Sequence, residues 1–186
     1  IYIFLMTLYS LIIKKVFLVD IISIAIGYML MVYGGAIIVV YSIDETINVS
    51  IWLILCTGFA SLFVLSIKRF SEFTNDKLTS RSSLSGNKSK LLYNSINLNE
   101  LLTYISYSFY CISINFSSIF SANTPSDLSL LLTLPLVILG MRRFKKDSLN
   151  SSYGDQPEEI IFKSKFIILI FFSWIIISSL IIYVRN

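Results

Sequence analysis

Phe63-Val64-Leu65-Ser66-Ile67-Lys68-Arg69-Phe70-Ser71-Glu72-Phe73 is the stretch on which the fold turns: an apolar run that breaks off into two cations and, about a turn later, a carboxylate. Upstream of it the apolar residues continue back to Ile51 without the strict alternation of a half-buried strand. Such a run is a helix entering hydrocarbon, and the cations mark where it leaves. Taken alone, the edge has two meanings. Lys68 and Arg69 are either a topogenic pair that also favours the helix C-terminal dipole, with Glu72 a solvated partner, or part of the floor of a site for an anionic substrate.

The rest of the composition fixes the class. Of 186 residues 55% are hydrophobic and 14% charged, with a mean hydropathy of +0.78, far from the balance of a soluble domain of this length. An all-α, polytopic transmembrane helix bundle follows, because apolar runs of this length without alternation do not build a barrel. The absence of histidine excludes His-based acid–base chemistry and His-ligated zinc in this segment. Cys56 and Cys111 lie inside apolar runs without metal-ligand spacing, and they read as small packing residues rather than a disulfide. The net charge of +4 is read as topology first, not as nucleic-acid affinity. The chain begins inside an apolar run at Ile1, so it is expected to be the interior of a longer protein.

The predicted spans are Ile1 to Ile13, Val16 to Tyr41, Ile51 to Ile67, Leu101 to Phe120, Leu128 to Met141 and Phe166 to Val184. Leu101 to Phe120 is diluted by serines and is expected to pack inside the bundle; Leu128 to Met141 is short and interrupted by Pro135, which predicts a kink or a longer element. Thr74 to Asn97, rich in Ser, Asn and Lys, is expected to be a solvated loop. Threading the spans in order puts 14 of the 15 Lys and Arg residues on one side and only Arg185 on the other. The basic loops are therefore expected in the cytoplasm and the C-terminus outside.

Candidate chemistry gathers on that basic side. Asp20 lies about one turn inside the second span, where a carboxylate needs water, a cation or a metal; pairing with Lys14 or Lys15 is the plain alternative. Lys68 and Glu72 share a helix face with Arg69 beside them, and Asp76 follows one turn later. A ladder Glu72-x-x-x-Asp76 is suited to a hydrated Mg²⁺ between protein and phosphate oxygens, while Lys and Arg bind the phosphates themselves. Arg142 and Arg143, with Gly154-Asp155-Gln156-Pro157-Glu158-Glu159, complete a charged ring.

The ordered set resembles a known family. Tyr9-Ser10-x-x-x-Lys14 with Asp20, Gly27-Tyr28 with Gly34-Gly35-Ala36, Trp52-Leu53-x-Leu55-Cys56-Thr57 leading to Lys68-Arg69-x-x-Glu72, Leu134-Pro135-Leu136-Val137-x-x-Gly140-x-x-Arg143-Phe144, and Gly154-x-x-Pro157-Glu158-Glu159 resemble the UbiA-type prenyltransferase superfamily. The closest likeness is to its decaprenyl-phosphate phosphoribosyltransferase branch. The resemblance implies a bundle of about nine helices in the bacterial inner membrane, of which this chain carries five to six, as the C-terminal part of one transferase domain. It implies transfer of 5-phosphoribosyl from phosphoribosyl pyrophosphate to a polyprenyl (decaprenyl) phosphate, with Mg²⁺ supporting the leaving pyrophosphate, on the route to envelope polysaccharide. By position it assigns Asp20 and Glu72 to catalysis, Lys14, Lys68, Arg69 and Arg143 to substrate binding, and Glu72 with Asp76 to metal.

Three departures qualify the match. The first aspartate-rich motif of the superfamily, Asn-Asp-x-x-Asp, is nowhere in the chain, so the main Mg²⁺ ligands are expected upstream and this segment alone is expected to be inactive. Met31 stands where the branch usually has Arg, and Ser164 where it has Asp. Two other classes remain open: a UbiA-type enzyme that moves a prenyl chain onto an aromatic or other polar acceptor, and a non-enzymatic transport or assembly protein whose basic loops serve topology alone.

Overall fold

A computed structural model describes residues 17–43, 49–79, 85–119, 128–150 and 156–185, all but a few of them helical. The helices are α1 (Phe17–Ile43), α2 (Ile51–Thr79), α3 (Ser85–Ile119), a 3-10 segment (Leu128–Thr133) leading into α4 (Leu134–Asn150), the short α5 (Pro157–Lys163) and α6 (Lys165–Arg185). No strand occurs among the described residues. Three of these helices are long and apolar enough to cross a membrane, over Val19–Val39, Ile51–Thr74 and Lys165–Val184. Apolar all round, they satisfy their backbone groups internally and need no polar environment outside. The expected span Ile1 to Ile13, residues 44–48 and residues 120–127 lie outside the described residues.

The expected loop Thr74 to Asn97 is instead mostly helix. α2 runs on to Thr79 and α3 begins at Ser85. The reason lies in Leu92 and Ile96, spaced one turn apart and only 2% and 0% exposed, which dock the polar-looking start of α3 against the end of α2. Tertiary packing outweighs the weak helix propensity of the Ser- and Asn-rich composition. At Pro135 the longer element is the outcome observed: the segment runs from Leu128 to Asn150, and Pro135 sits in the first turn of α4, where a missing N–H leaves no hydrogen bond unmade.

α2 and α3 form the central antiparallel hairpin, and side-chain pairs fix its register. Phe70 meets Tyr93 with ring centroids 6.1 Å apart, Cys56 Sγ faces the Thr103 carbonyl at 4.0 Å, and Trp52 stacks on Phe109 at 4.5 Å. Of the serines expected to dilute the fourth span, Ser108 donates to the carbonyl four residues back; Thr103 on the same helix and Thr57 on α2 do likewise, and Ser61 on α2 donates to the carbonyl three back. One core joins the hairpin to α4, α5 and α6 through Phe63, Ile67, Ile96, Phe144, Ile160 and Ile167.

α1 reaches the hairpin at a close approach. A Cβ on Gly58 would stand 2.7 Å from Met29 Sδ, so glycine is what lets α1 lie against α2. The obstacle is the far end of a flexible thioether, which can turn aside for one methyl but not for a branched side chain. Gly58→Ala is therefore expected to change stability by less than about 1 kcal/mol, and Gly58→Val to cost about 1–3 kcal/mol, read by thermal unfolding of the detergent-solubilised protein. Equal effects of the two substitutions would contradict this contact.

Candidate functional site

The charged edge that ends the apolar part of α2 folds back onto α1. Arg69 Nη1 donates to Glu72 Oε2 at 2.6 Å, within its own helix, and Arg69 Nη2 donates to Asp20 Oδ2 of α1. Asp20 is 3% exposed, so a single guanidinium both neutralises a buried carboxylate and joins two helices. The other carboxylate oxygen, Asp20 Oδ1, is buried and has no hydrogen-bond partner among the described residues. The local sequence explains the geometry: Arg69 and Glu72 are three apart and share a face, and Asp20 sits in the first turn of α1 at the matching level.

The sequence-assigned residues do not all come together. Asp20, Arg69 and Glu72 come together. Lys68 is half-buried beside them and forms no ion pair among the described residues. Arg143 does not join them: its Nε donates to Asp147 Oδ2 at 3.0 Å, its guanidinium lies 5.6 Å from the Phe166 ring centroid, and Ser164 Oγ donates to the same Asp147 oxygen at 3.2 Å. That set ties α4 to α6. Lys14 and the side chain of Asp76 lie outside the described residues. Met31 is exposed on α1, at 52%.

Of the expected Mg²⁺ pair, Glu72 with Asp76, the Asp76 side chain lies outside the described residues, and the carboxylates that do come together, Asp20 and Glu72, are not arranged for a divalent cation. Asp20 and Glu72 face each other across the Arg69 guanidinium, a fixed positive charge where a divalent cation would have to lie. No group of three or more Cys, Asp or Glu side chains is close enough to hold a metal ion among the described residues. Counting Lys68, the four charges of the edge sum to zero. The edge is a positioned fork rather than a strong anion trap.

Sequence reasoning missed the cavity next to it. About 1030 Å³ of mostly apolar space opens between α2, α3, α4 and α6, lined on α2 as far as Val64 and elsewhere by Tyr107, Val137, Phe144 and Trp174. Val64 is about one turn from Lys68, so the charged edge begins about 6–8 Å beyond the cavity's α2 wall along the helix, while the Arg69 guanidinium itself turns to the opposite face of α2, toward Asp20 of α1. The wall carries one satisfied polar chain: Trp174 Nε1 donates to the Tyr107 hydroxyl at 2.9 Å, Tyr107 shares a 2.6 Å bond with Thr133 Oγ1, and Thr133 donates to the Leu130 carbonyl at 2.6 Å. Because Thr133 gives its proton to Leu130, Tyr107 is the donor to Thr133. Ser178 Oγ also lines this space and has no partner among the described residues. The signal for the cavity lay in aromatic residues 67 positions apart, which no local pattern connects.

No protein-family model matches the chain, and no curated protein matches it. What fold and site define together is a helical membrane protein with three spanning-length helices among the described residues, a half-buried ion-paired edge and an apolar cavity.

Removing Arg69 leaves Asp20 buried without a counter-charge. Arg69→Met is expected to lower stability by about 2–4 kcal/mol, and adding Asp20→Asn to recover at least half of that loss in a double-mutant cycle measured by unfolding in detergent. Strictly additive losses would contradict the bridge.

Proposed function

We propose that the protein is a membrane transferase whose acceptor is a polyprenyl phosphate and whose donor is phosphoribosyl pyrophosphate, with the lipid chain in the apolar cavity and its phosphate at the Arg69 edge. The observation that carries the reading is the cavity of about 1030 Å³ ending about one turn from a guanidinium held between two carboxylates. A long hydrocarbon with one anionic end matches that layout better than a small polar metabolite does. The donor sugar rests on the family resemblance rather than on the geometry.

In the reaction, a phosphate oxygen of the lipid attacks the anomeric carbon of the donor ribose, a new C–O bond forms, and the C–O bond to pyrophosphate breaks. Arg69 uses one N–H of each terminal nitrogen on Asp20 and Glu72, and its remaining donors are available to a phosphate oxygen. Lys68 supplies a mobile cation beside it. Asp20 and Glu72 hold the guanidinium in place, so they act on substrate through Arg69. Mg²⁺, which the resemblance implies, would have to be held by carboxylates other than Asp20 and Glu72, and would supply charge stabilisation to a pyrophosphate leaving group. The site lies on the cytoplasmic side of a bacterial inner membrane in this reading, with the basic loops facing the pool of phosphoribosyl pyrophosphate.

Membranes bearing the full-length protein are expected to convert radiolabelled phosphoribosyl pyrophosphate and polyprenyl phosphate into labelled lipid and pyrophosphate. Arg69→Lys, which keeps the charge but loses the fork, is expected to slow the reaction by about tenfold or more. Absence of labelled lipid, with turnover of a prenyl diphosphate onto an aromatic acceptor instead, would overturn the reading in favour of prenyl transfer. Full turnover by the Arg69→Lys and Glu72→Ala variants would remove the edge from the chemistry.

A further inference from the structure

On the side of the α3–α4 pair away from the apolar cavity lies a second concavity of about 610 Å³, lined by Asn97, Glu100 and Tyr104 of α3 and Arg142, Lys145 and Lys146 of α4. Its charges are not balanced. Lys145 Nζ is engaged by Glu100 Oε2 at 2.5 Å and Asn97 Oδ1 at 2.6 Å, and the Tyr104 hydroxyl donates to Glu100 Oε1 at 2.7 Å. Glu100 is 8% exposed and fully engaged, so its negative charge is spent inside the protein. Arg142 stands beside the Tyr104 hydroxyl, and neither it nor Lys146 forms an ion pair among the described residues. Being four apart on α4, they face the same way and leave two cations over one hollow.

The same faces of both helices continue as exposed hydrocarbon. Leu101, Ile105 and Phe109 repeat every four residues along α3 and are 54%, 41% and 45% exposed. Leu139, one turn before Arg142 on α4, is 52% exposed. The antiparallel pairing of Lys145 with Glu100 and of Tyr107 with Thr133 sets Leu139 level with this stripe and Lys146 at its polar end. A basic hollow at the end of an apolar stripe has the shape of an amphiphile.

We propose that this outer face of α3 and α4 is a binding site for an anionic phospholipid, with the headgroup phosphate on Arg142 and Lys146 and the acyl chains along Leu101, Ile105, Phe109 and Leu139. It is separate from the cavity assigned to substrate and stands whether or not the transferase reading does. A soluble anion would use the cations alone and ignore the stripe; a neutral lipid would use the stripe alone.

The test titrates the full chain, delipidated in a non-ionic detergent, with dioleoyl phosphatidylglycerol, dioleoyl phosphatidylcholine and inorganic phosphate, with native mass spectrometry reading the bound fraction. Phosphatidylglycerol is expected to bind about tenfold more tightly than phosphatidylcholine. Arg142→Gln with Lys146→Gln should erase that preference, Arg142→Lys with Lys146→Arg should keep it, and Lys165→Gln, on the exposed start of α6, should leave it unchanged. Ile105→Asn with Leu139→Asn should weaken both lipids. Equal binding of the two lipids, a loss of preference shared by Lys165→Gln, or displacement of phosphatidylglycerol by millimolar phosphate would overturn the proposal, the last by making this a site for free phosphate.

Discussion

The guanidinium of Arg69, held between Asp20 on α1 and Glu72 on its own helix, is the interaction on which the arrangement depends. Asp20 is nearly inaccessible, and a carboxylate in that position is tolerated only with a counter-charge. The bridge therefore sets the axial position of α1 against the hairpin, while Met29 over Gly58 sets how closely the two helices approach. Between them, one polar and one steric contact fix a helix whose apolar surface alone would allow it to slide or rotate, since hydrocarbon tails compete equally well for that surface.

From that anchor the hairpin acquires two different faces. One turns inward to a mostly apolar cavity on whose wall Trp174 and Tyr107, backed by Thr133, satisfy one another. The other turns outward, with a Glu100–Lys145 pair buried at its root and Arg142 and Lys146 left over it. Both faces meet charge near the same end of the bundle, because Ile67 and Ile96 pack in one core and bring the ends of α2 and α3 to a common level. A boundary of this kind, with apolar volume on one side and fixed cations on the other, is the physical setting in which a phosphate-headed lipid is positioned rather than merely dissolved.

Much of the helical frame was legible in the sequence, and the reason is uniformity. α1, the apolar part of α2, and α6 are greasy on every face, so length and composition identify them without knowledge of their neighbours. The first turns of α3 were not legible, since Ser, Asn and Lys dominate them and only Leu92 and Ile96, a turn apart, betray a buried side. Of the candidate site, Arg69 with Glu72 was readable as a spacing. Their closure onto Asp20, 49 residues away, and the pairing of Lys145 with Glu100, 45 away, belong to tertiary structure. Arg143, grouped with the phosphate-binding cations by resemblance, pairs with Asp147 and lies 5.6 Å from the Phe166 ring centroid, because its own next turn and the start of α6 supply near partners.

What fills the apolar cavity decides whether the protein handles a polyprenyl phosphate. A polyprenyl phosphate carrying a photoreactive group along its chain, irradiated with the protein in membranes and mapped by peptide mass spectrometry, tests this directly. Labelling is expected on cavity residues such as Val137, Tyr107 and Trp174, and is expected to disappear when unlabelled polyprenyl phosphate is added in excess. Labelling confined to the outward faces of α6 around Phe172 and Ile176, unaffected by competitor, would show that the lipid only surrounds the bundle and would contradict the account.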